Sequence, residues 1–274
     1  MTINCKGHLI DLEIPKVMGI LNVTPNSFFD GGKYKNESEI LSQVEKMLSD
    51  GATFIDVGAY SSKPNAEFVS ESEEIDRIVP VIDLILNRFP DAFLSIDTFR
   101  SEVAKIAIEN GAAIINDVSA GKLDDKMFET VAKYNVPYIM MHMRGTPQTM
   151  QTMTEYEDIV KEMLFYFSER VSMARSFGIN DLIIDTGFGF AKTLAQNYEV
   201  LRKLELFQML DLPILTGVSR KSMIYKLLEN SPAEALNGTT VLNTIALTKG
   251  AKILRVHDVK EAFEAIQIWN QFVD

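Results

Sequence analysis

Polar residues able to do chemistry recur in this chain at one kind of place, the end of a short apolar run. Asn22 follows the run 17–21 (VMGIL), Asp56 sits inside 54–58 (FIDVG), and Asp97 follows 93–96 (FLSI). Asn116 follows 112–115, His142 follows 138–141, and Asp185 follows 182–184. The run 214–217 leads into Ser219, Arg220 and Lys221, and the run 252–254 ends on Arg255 and His257. Asp97 and Asp185 with Asn116 would suit a flat heterocycle presenting several N–H donors, because carboxylates accept and an amide both donates and accepts. A single strand-end aspartate is more often a helix cap; two that face an asparagine and a lysine favour a ligand. Where Ser219, Arg220 and Lys221 open a helix, free backbone N–H groups and basic side chains attract anions. Arg255 and His257, beside Asn22, suggest a second anion site, although each alone reads as a surface salt bridge and a structural imidazole. Phe188 and Phe190 alternate with glycines in TGFGF, and with Phe28 they would either cover a flat ligand or pack under their loops. His142 has no acidic or cysteine neighbour at metal spacing, so no zinc site is expected.

The elements that must position these residues form a repeating series. Each apolar run reads as a fully buried strand, a loop follows, and then a segment with helical periodicity. Asn36 with Glu39, Ser70 with Glu73, and Thr154 with Glu157 read as capping boxes for three of the helices. Ile40, Leu41, Val44, Met47 and Leu48 line one face of the first helix, and the final helix, spanning 259–273, carries the only tryptophan, Trp269. Residues 1–14 alternate as a short hairpin or cap. Eight such units with no linker between them favour a closed parallel (β/α)8 barrel as one domain over residues 1–274, the TIM-barrel arrangement, with a short N-terminal hairpin. An open doubly wound sheet is the alternative at this length. In a barrel all the strand C-termini converge on one face, so the polar residues above would share one cavity.

Composition narrows the partners. The 46% hydrophobic content supports a large core, and the formal net charge of −11 argues against nucleic acid, whose phosphates need a basic face. No apolar run approaches a membrane span, and the N-terminus lacks the layout of a signal peptide. The single Cys5 rules out an intrachain disulfide and suits a reducing cytoplasm.

Eight motifs in order, MGILNVTPNSFFDGG, ATFIDVG, SIDTFR, AAIINDVSAG, MHMRGTPQTMQ, DTGFGFAKT, GVSRKS and RVHDV, together resemble the dihydropteroate synthase family across nearly the whole chain. That resemblance implies a TIM barrel, a transferase of folate biosynthesis and sulfonamide target, and the substrates (7,8-dihydropterin-6-yl)methyl diphosphate and 4-aminobenzoate. By it, Asp97, Asn116, Asp185 and Lys221 are similar to the family's pterin-binding set, with Met140 and Gly217 against the ring. Asn22, Arg255 and His257 correspond to the diphosphate site. Asn22 and Asp30 would be ligands of Mg2+. Phe28, Ser62, Lys63, Pro64, Phe190 and Ser219 would surround the aminobenzoate. Asn22, Lys221, Arg255 and His257 would then carry catalysis. The family's reaction is expected to be dissociative, with neither a covalent enzyme intermediate nor an essential general base. A homodimer is also expected.

Two departures stand out. Loop 61–65 reads Ser-Ser-Lys-Pro-Asn where the family commonly has Ser-Thr-Arg-Pro-Gly, and Lys63 lacks the bidentate fork of an arginine. Ala191 and Thr193 replace a Gly and an Asn. Both changes predict altered aminobenzoate or sulfonamide affinity with activity retained. A pterin-dependent corrinoid methyltransferase is the nearest rival reading, but it has no use for a diphosphate site; a non-catalytic pterin binder would be favoured only if the polar residues were missing.

Overall fold

A hairpin of β1 (Thr2–Cys5) and β2 (His8–Asp11) starts the chain, paired antiparallel from Thr2 against Asp11 to Cys5 against His8. The computed structural model describes residues 1–23, 33–60, 69–146 and 149–272. Eight further strands follow: β3 (Lys16–Asn22), β4 (Ala52–Gly58), β5 (Phe93–Asp97), β6 (Ile114–Asp117), β7 (Tyr138–Met141), β8 (Leu182–Asp185), β9 (Ile214–Thr216) and β10 (Ala251–Val256). Each pairs in parallel with its neighbour, and β10 closes on β3, giving the closed barrel expected from the sequence. Around them lie α1 (Lys33–Ser49), α2 (Glu71–Arg88), α3 (Ser101–Glu109), α4 (Met127–Tyr134), α5 (Ile159–Ser176), α6 (Leu194–Arg202), α7 (Ser222–Tyr225), α8 (Leu236–Thr248) and α9 (Val259–Asn270).

Alternation along the strands divides their residues between two cores. Val17, Ile55, Leu94, Ile115, Tyr138, Met140, Ile184 and Leu254 pack outward with the helices. Met18, Phe54, Ile114, Ile139, Ile183, Leu215 and Ile253 pack inside the barrel, where Ile3, Cys5 and Leu12 from the hairpin region close its lower end. Each buried aliphatic of this layer stabilises the fold by roughly 1.5–3 kcal/mol. That stabilisation offsets the cost of what lies one step higher.

Not every local expectation holds. Ser70 caps α2, accepting from the Glu73 N–H at 3.2 Å. The helix expected to start at Thr154 is instead capped by Asp158, whose carboxylate accepts from the Lys161 N–H; its negative charge suits the free N–H donors at the start of α5. Helix α1 starts at Lys33, ahead of Asn36, so Asn36 lies within the helix.

Candidate active site

The interior layer of the barrel generates the site directly. Two residues beyond Phe54, Ile114, Ile139, Ile183, Leu215 and Ile253, on the same inward face, stand Asp56, Asn116, Met141, Asp185, Gly217 and Arg255. Asn22 ends β3 four residues beyond Met18, in register with Gly58 of β4, and is exposed to solvent. Asp97 ends β5 in register with Asn116. One turn of strand thus separates an apolar floor from a polar rim.

Arg255 joins the rim together. Its Nε donates to Asp56 Oδ2 at 2.6 Å and its Nη2 to Asp97 Oδ2 at 2.8 Å. Asn116 Nδ2 donates to the same Asp56 oxygen at 3.1 Å, while Asp56 Oδ1 is buried without a hydrogen-bond partner among the described residues. One guanidinium shared by two carboxylates cannot fully compensate both. Burial pushes Asp97 up to about 7, with Arg255 pulling against it and Asp56 adding to the rise. The same two carboxylates hold Arg255 firmly charged against the effect of its burial.

Across the mouth, burial raises Asp185 and the nearby Lys221 opposes it, while its Oδ1 accepts from the Gly187 N–H at 2.8 Å. Burial lowers Lys221 to about 8 against the pull of Asp185. The Lys221 ammonium donates to the Phe188 carbonyl and lies 4.8 Å from the centre of the Phe190 ring, a cation–π contact. A Cβ on Gly217 would stand 3.8 Å from Lys221 Nζ and 4.0 Å from Arg255 Cβ, ordinary contact distances that place this glycine between the two cations. Ser219 Oγ and His257 Nδ1 lie 3.0 Å apart, and Ser219 Oγ accepts from the His257 N–H at 3.2 Å, so these two residues act as one unit.

Asn22, Asp97, Asn116, Asp185, Gly217, Ser219, Lys221, Arg255, His257 and Phe190 therefore all come from the strand ends and loops of one barrel face. Two expectations need correction, and one open choice is decided. Met140 is wholly buried among helix-facing residues of β7 and cannot meet a ring in the mouth; strand alternation gives that position to Met141, which packs with Val118, Met143 and Ala191 beside Phe190. Phe188 is also core, not a cover, and offers only its carbonyl. Arg220 grips Asp258 with two bonds, 2.9 and 2.6 Å, and α7 is a single four-residue turn, so neither supplies the anion site expected there. Asp30, Phe28, Ser62, Lys63 and Pro64 lie outside the described residues.

Asp56 was visible in the sequence as one more strand-end acid, yet its place at the centre of the rim was not. Lys192 and Asn197 carried no comparable signal, because they belong to the loop and helix behind β8 and act on that loop's backbone.

Residues 18–257 match the family described as pterin-binding enzyme. The chain is 41% identical over 271 residues to a dihydropteroate synthase of Haemophilus influenzae, covering 98% of each chain. Its fold superposes with a TM-score of 0.92 on a Yersinia pestis dihydropteroate synthase crystallised with a sulfonamide drug, at 42% identity and 99% coverage of both chains. A Xanthomonas albilineans dihydropteroate synthase with 4-aminobenzoic acid gives a TM-score of 0.90 at 35% identity, covering 99% of this chain and 97% of that one. With the barrel and its polar rim already in place, these likenesses settle the family: the chain belongs to the dihydropteroate synthases among the pterin-binding enzymes.

Proposed function

We propose that the protein joins (7,8-dihydropterin-6-yl)methyl diphosphate to 4-aminobenzoate, forming 7,8-dihydropteroate and pyrophosphate. The observation that carries this reading is the rim itself: three inward carboxylates and an amide, buried around one arginine and one lysine. Asp97, Asn116 and Asp185 would take the N–H edge of the pterin, joined by the unpaired oxygen of Asp56. Met141 would replace Met140 against the ring. Lys221 would join the pterin set, its stem bordering the aminobenzoate side. Asn22, Arg255 and His257 would face the diphosphate, and Ser219 and Phe190 the aminobenzoate, with Phe28, Ser62, Lys63 and Pro64 from the segments not described.

Cleavage breaks the C–O bond to the diphosphate, and the bonding pair leaves with pyrophosphate. The cation left on the exocyclic carbon is delocalised into the pterin ring. The aniline nitrogen then forms the C–N bond and releases its proton to water. The weak nucleophile needs position more than activation. The reading therefore assigns no residue the role of an essential general base; His142, 2% exposed, is held well below its ordinary value by burial and by Lys192.

Mg2+ fits this donor set as an ion shared with the diphosphate. Among the described residues no group of three or more His, Cys, Asp or Glu side chains could hold a metal, whereas Mg2+ is commonly held by one or two protein oxygens and substrate phosphates. Asn22, and Asp30 outside the described residues, would hold it, and when bound it would neutralise charge on the departing pyrophosphate.

The test is pyrophosphate release by the purified protein. We expect Mg2+-dependent release with 7,8-dihydropteroate formed in step when both substrates are present; no dihydropteroate with all three, or release that aminobenzoate never couples to dihydropteroate, would overturn the reading. The same reading includes a homodimer through α8 and α9, where Val241, Ile245, Ile268 and Phe272 are exposed apolar residues. A cytoplasmic setting suits the free, buried Cys5. No helix among the described residues is long and apolar enough to cross a membrane.

A further inference from the structure

The turn over residues 187–190 brings Phe190 beneath the Lys221 ammonium, and it is fastened from behind by groups that the proposed reaction does not use. Lys192 is 7% exposed, and its ammonium lies 2.9 Å from the Gly187 carbonyl, 3.0 Å from the Phe190 carbonyl and 3.1 Å from His142 Nδ1. Burial lowers Lys192 to about 7 against the pull of Asp185; in its charged form the three donors of the ammonium match these three atoms, with His142 Nδ1 as the unprotonated ring nitrogen. His142 lies just beyond β7, so Lys192 ties both ends of the turn to the neighbouring strand. Asn197 of α6 holds the middle. Its Oδ1 accepts from the Gly189 N–H at 2.7 Å, and its Nδ2 donates to the carbonyls of Lys192 and Thr193 at 3.3 and 2.7 Å. Tyr156 adds a bond to the Ala191 carbonyl at 3.0 Å.

The turn has little freedom of its own. Gly187 has φ of +64° and Gly189 of +83°. A Cβ on Gly187 would stand 2.2 Å from the His142 carbonyl oxygen, so the turn and the β7 end are in closest backbone contact at the point where Lys192 bridges them. On the other side, a Cβ on Gly189 would meet Lys221 Cδ at 3.4 Å. The turn therefore bears on Lys221 through the Phe188 carbonyl, which accepts from its ammonium, as well as placing the Phe190 ring.

We propose that Lys192 is a positioning residue, which with Asn197 clamps the 187–190 turn to β7 and so sets the Phe190–Lys221 pair for the second, aromatic amine substrate. This inference rests on the function proposed above. It distinguishes the two substrates: of the groups expected to grip the pterin, Asp97 and Asn116 are held on β5 and β6 around Asp56 and Arg255, and Asp185 ends its own strand β8, whereas the Phe190 ring and the Lys221 stem beside it depend on the clamp. Loss of the clamp should displace the aromatic side of the mouth by fractions of an ångström and leave the acid–amide side in place.

The experiment compares the wild-type protein with Lys192→Met and Asn197→Ala in the pyrophosphate assay. For a misplacement of this size we expect the aminobenzoate KM to rise about 10-fold in either variant while the pterin diphosphate KM moves less than about 3-fold. In the 15N spectrum of His142, Lys192→Met should also shift the Nδ1 resonance, because that nitrogen loses its donor. Equal rises in both KM values would mean a merely structural lysine, and unchanged aminobenzoate KM in both variants would mean no clamp; either result overturns the inference. Should Lys192→Met not fold, Asn197→Ala carries the same KM comparison. An inactive wild-type protein would instead count against the proposed function, so the two failures are separable.

Discussion

Replacing Arg255 with methionine tests the rim at its centre, without any substrate. The guanidinium is the sole cation hydrogen-bonded to Asp56 and Asp97 among the described residues, at 2.6 and 2.8 Å, and Asp56 has no side-chain exposure. Methionine fills much of the same volume and leaves both carboxylates in place. Removing one partner of a buried pair costs about 3–5 kcal/mol. Because Asp97 and Arg255 keep 19% side-chain exposure, the lower end applies, about 3 kcal/mol. With an m-value near 3 kcal/mol/M, the urea midpoint should fall by about 1 M. The pH dependence gives the sharper check. Asp97 already has its folded pKa raised from 3.8 to about 7, so between these values the folded state binds more protons than the unfolded, and unfolding free energy falls as pH rises. Without Arg255, which pulls against the rise, Asp97 goes up further and the fall extends to higher pH. The deficit of Arg255→Met should thus be largest at pH 8 and shrink towards pH 5, where a protonated Asp97 needs no cation. Adding Asp56→Asn should recover part of the loss at pH 8, the pair being directly coupled. A deficit under about 1 kcal/mol at pH 8, or one equal at pH 5 and pH 8, would refute the shared-cation account.

Two further outcomes are expected. Gly187→Ala should destabilise the protein by more than about 2 kcal/mol in thermal unfolding, because strain at φ +64° adds to a 2.2 Å contact with backbone. Gly178→Ala, at φ +90° with nothing within 4 Å of its Cβ, supplies the backbone cost alone, and equal losses for the two would remove the clash argument. Light scattering after gel filtration should give twice the chain mass of 30.8 kDa, and Ile268→Glu, on the exposed face of α9, should halve it. A wild-type monomer at micromolar concentration would end the dimer proposal.

The barrel was readable in the sequence because parallel strands buried on both faces need near-continuous apolar runs, and each such run here ends on a polar residue. That pattern gave the strand order and the acids of the rim. Orientation was harder to read. In MHM-flanked 138–141, two adjacent methionines, Met140 and Met141, look alike in composition, and only the register with Ile139 inside the barrel decides which one faces the mouth. Arg220 and Lys221 are likewise adjacent bases, but Asp258, 38 residues away, captures the first and leaves the second to the mouth. Lys192 was illegible for a different reason. Its acceptors are two backbone carbonyls and a histidine 50 residues away, and backbone acceptors carry no residue signature.

The two layers inside the barrel explain why such a site can exist at all. Asp56, Asp97, Asp185, Lys221 and Arg255 would each be costly to bury alone, and several remain shifted towards neutrality by burial. Asp56, Asp185 and Arg255 sit two residues above the wholly buried Phe54, Ile183 and Ile253 on the same strands, so the apolar floor fixes their backbones; Asp97 stands two above the buried Ser95, and Lys221 reaches the mouth from the start of α7. Their mutual bonds then only have to orient side chains already placed. On the proposed reading this arrangement also sets selectivity. A ring with N–H donors for the acids replaces water at groups that are otherwise poorly compensated, whereas a ring of the same shape without them leaves buried carboxylates unpaired. Sites built to hydrogen-bond their substrate reject analogues lacking the donors by about 10⁴-fold or more, far beyond what the apolar contacts of Met141 and Phe190 could supply. Discrimination at the pterin side is therefore electrostatic, whereas at the aminobenzoate side, where Phe190 and a lysine stem form the wall, it depends on how accurately the turn is held.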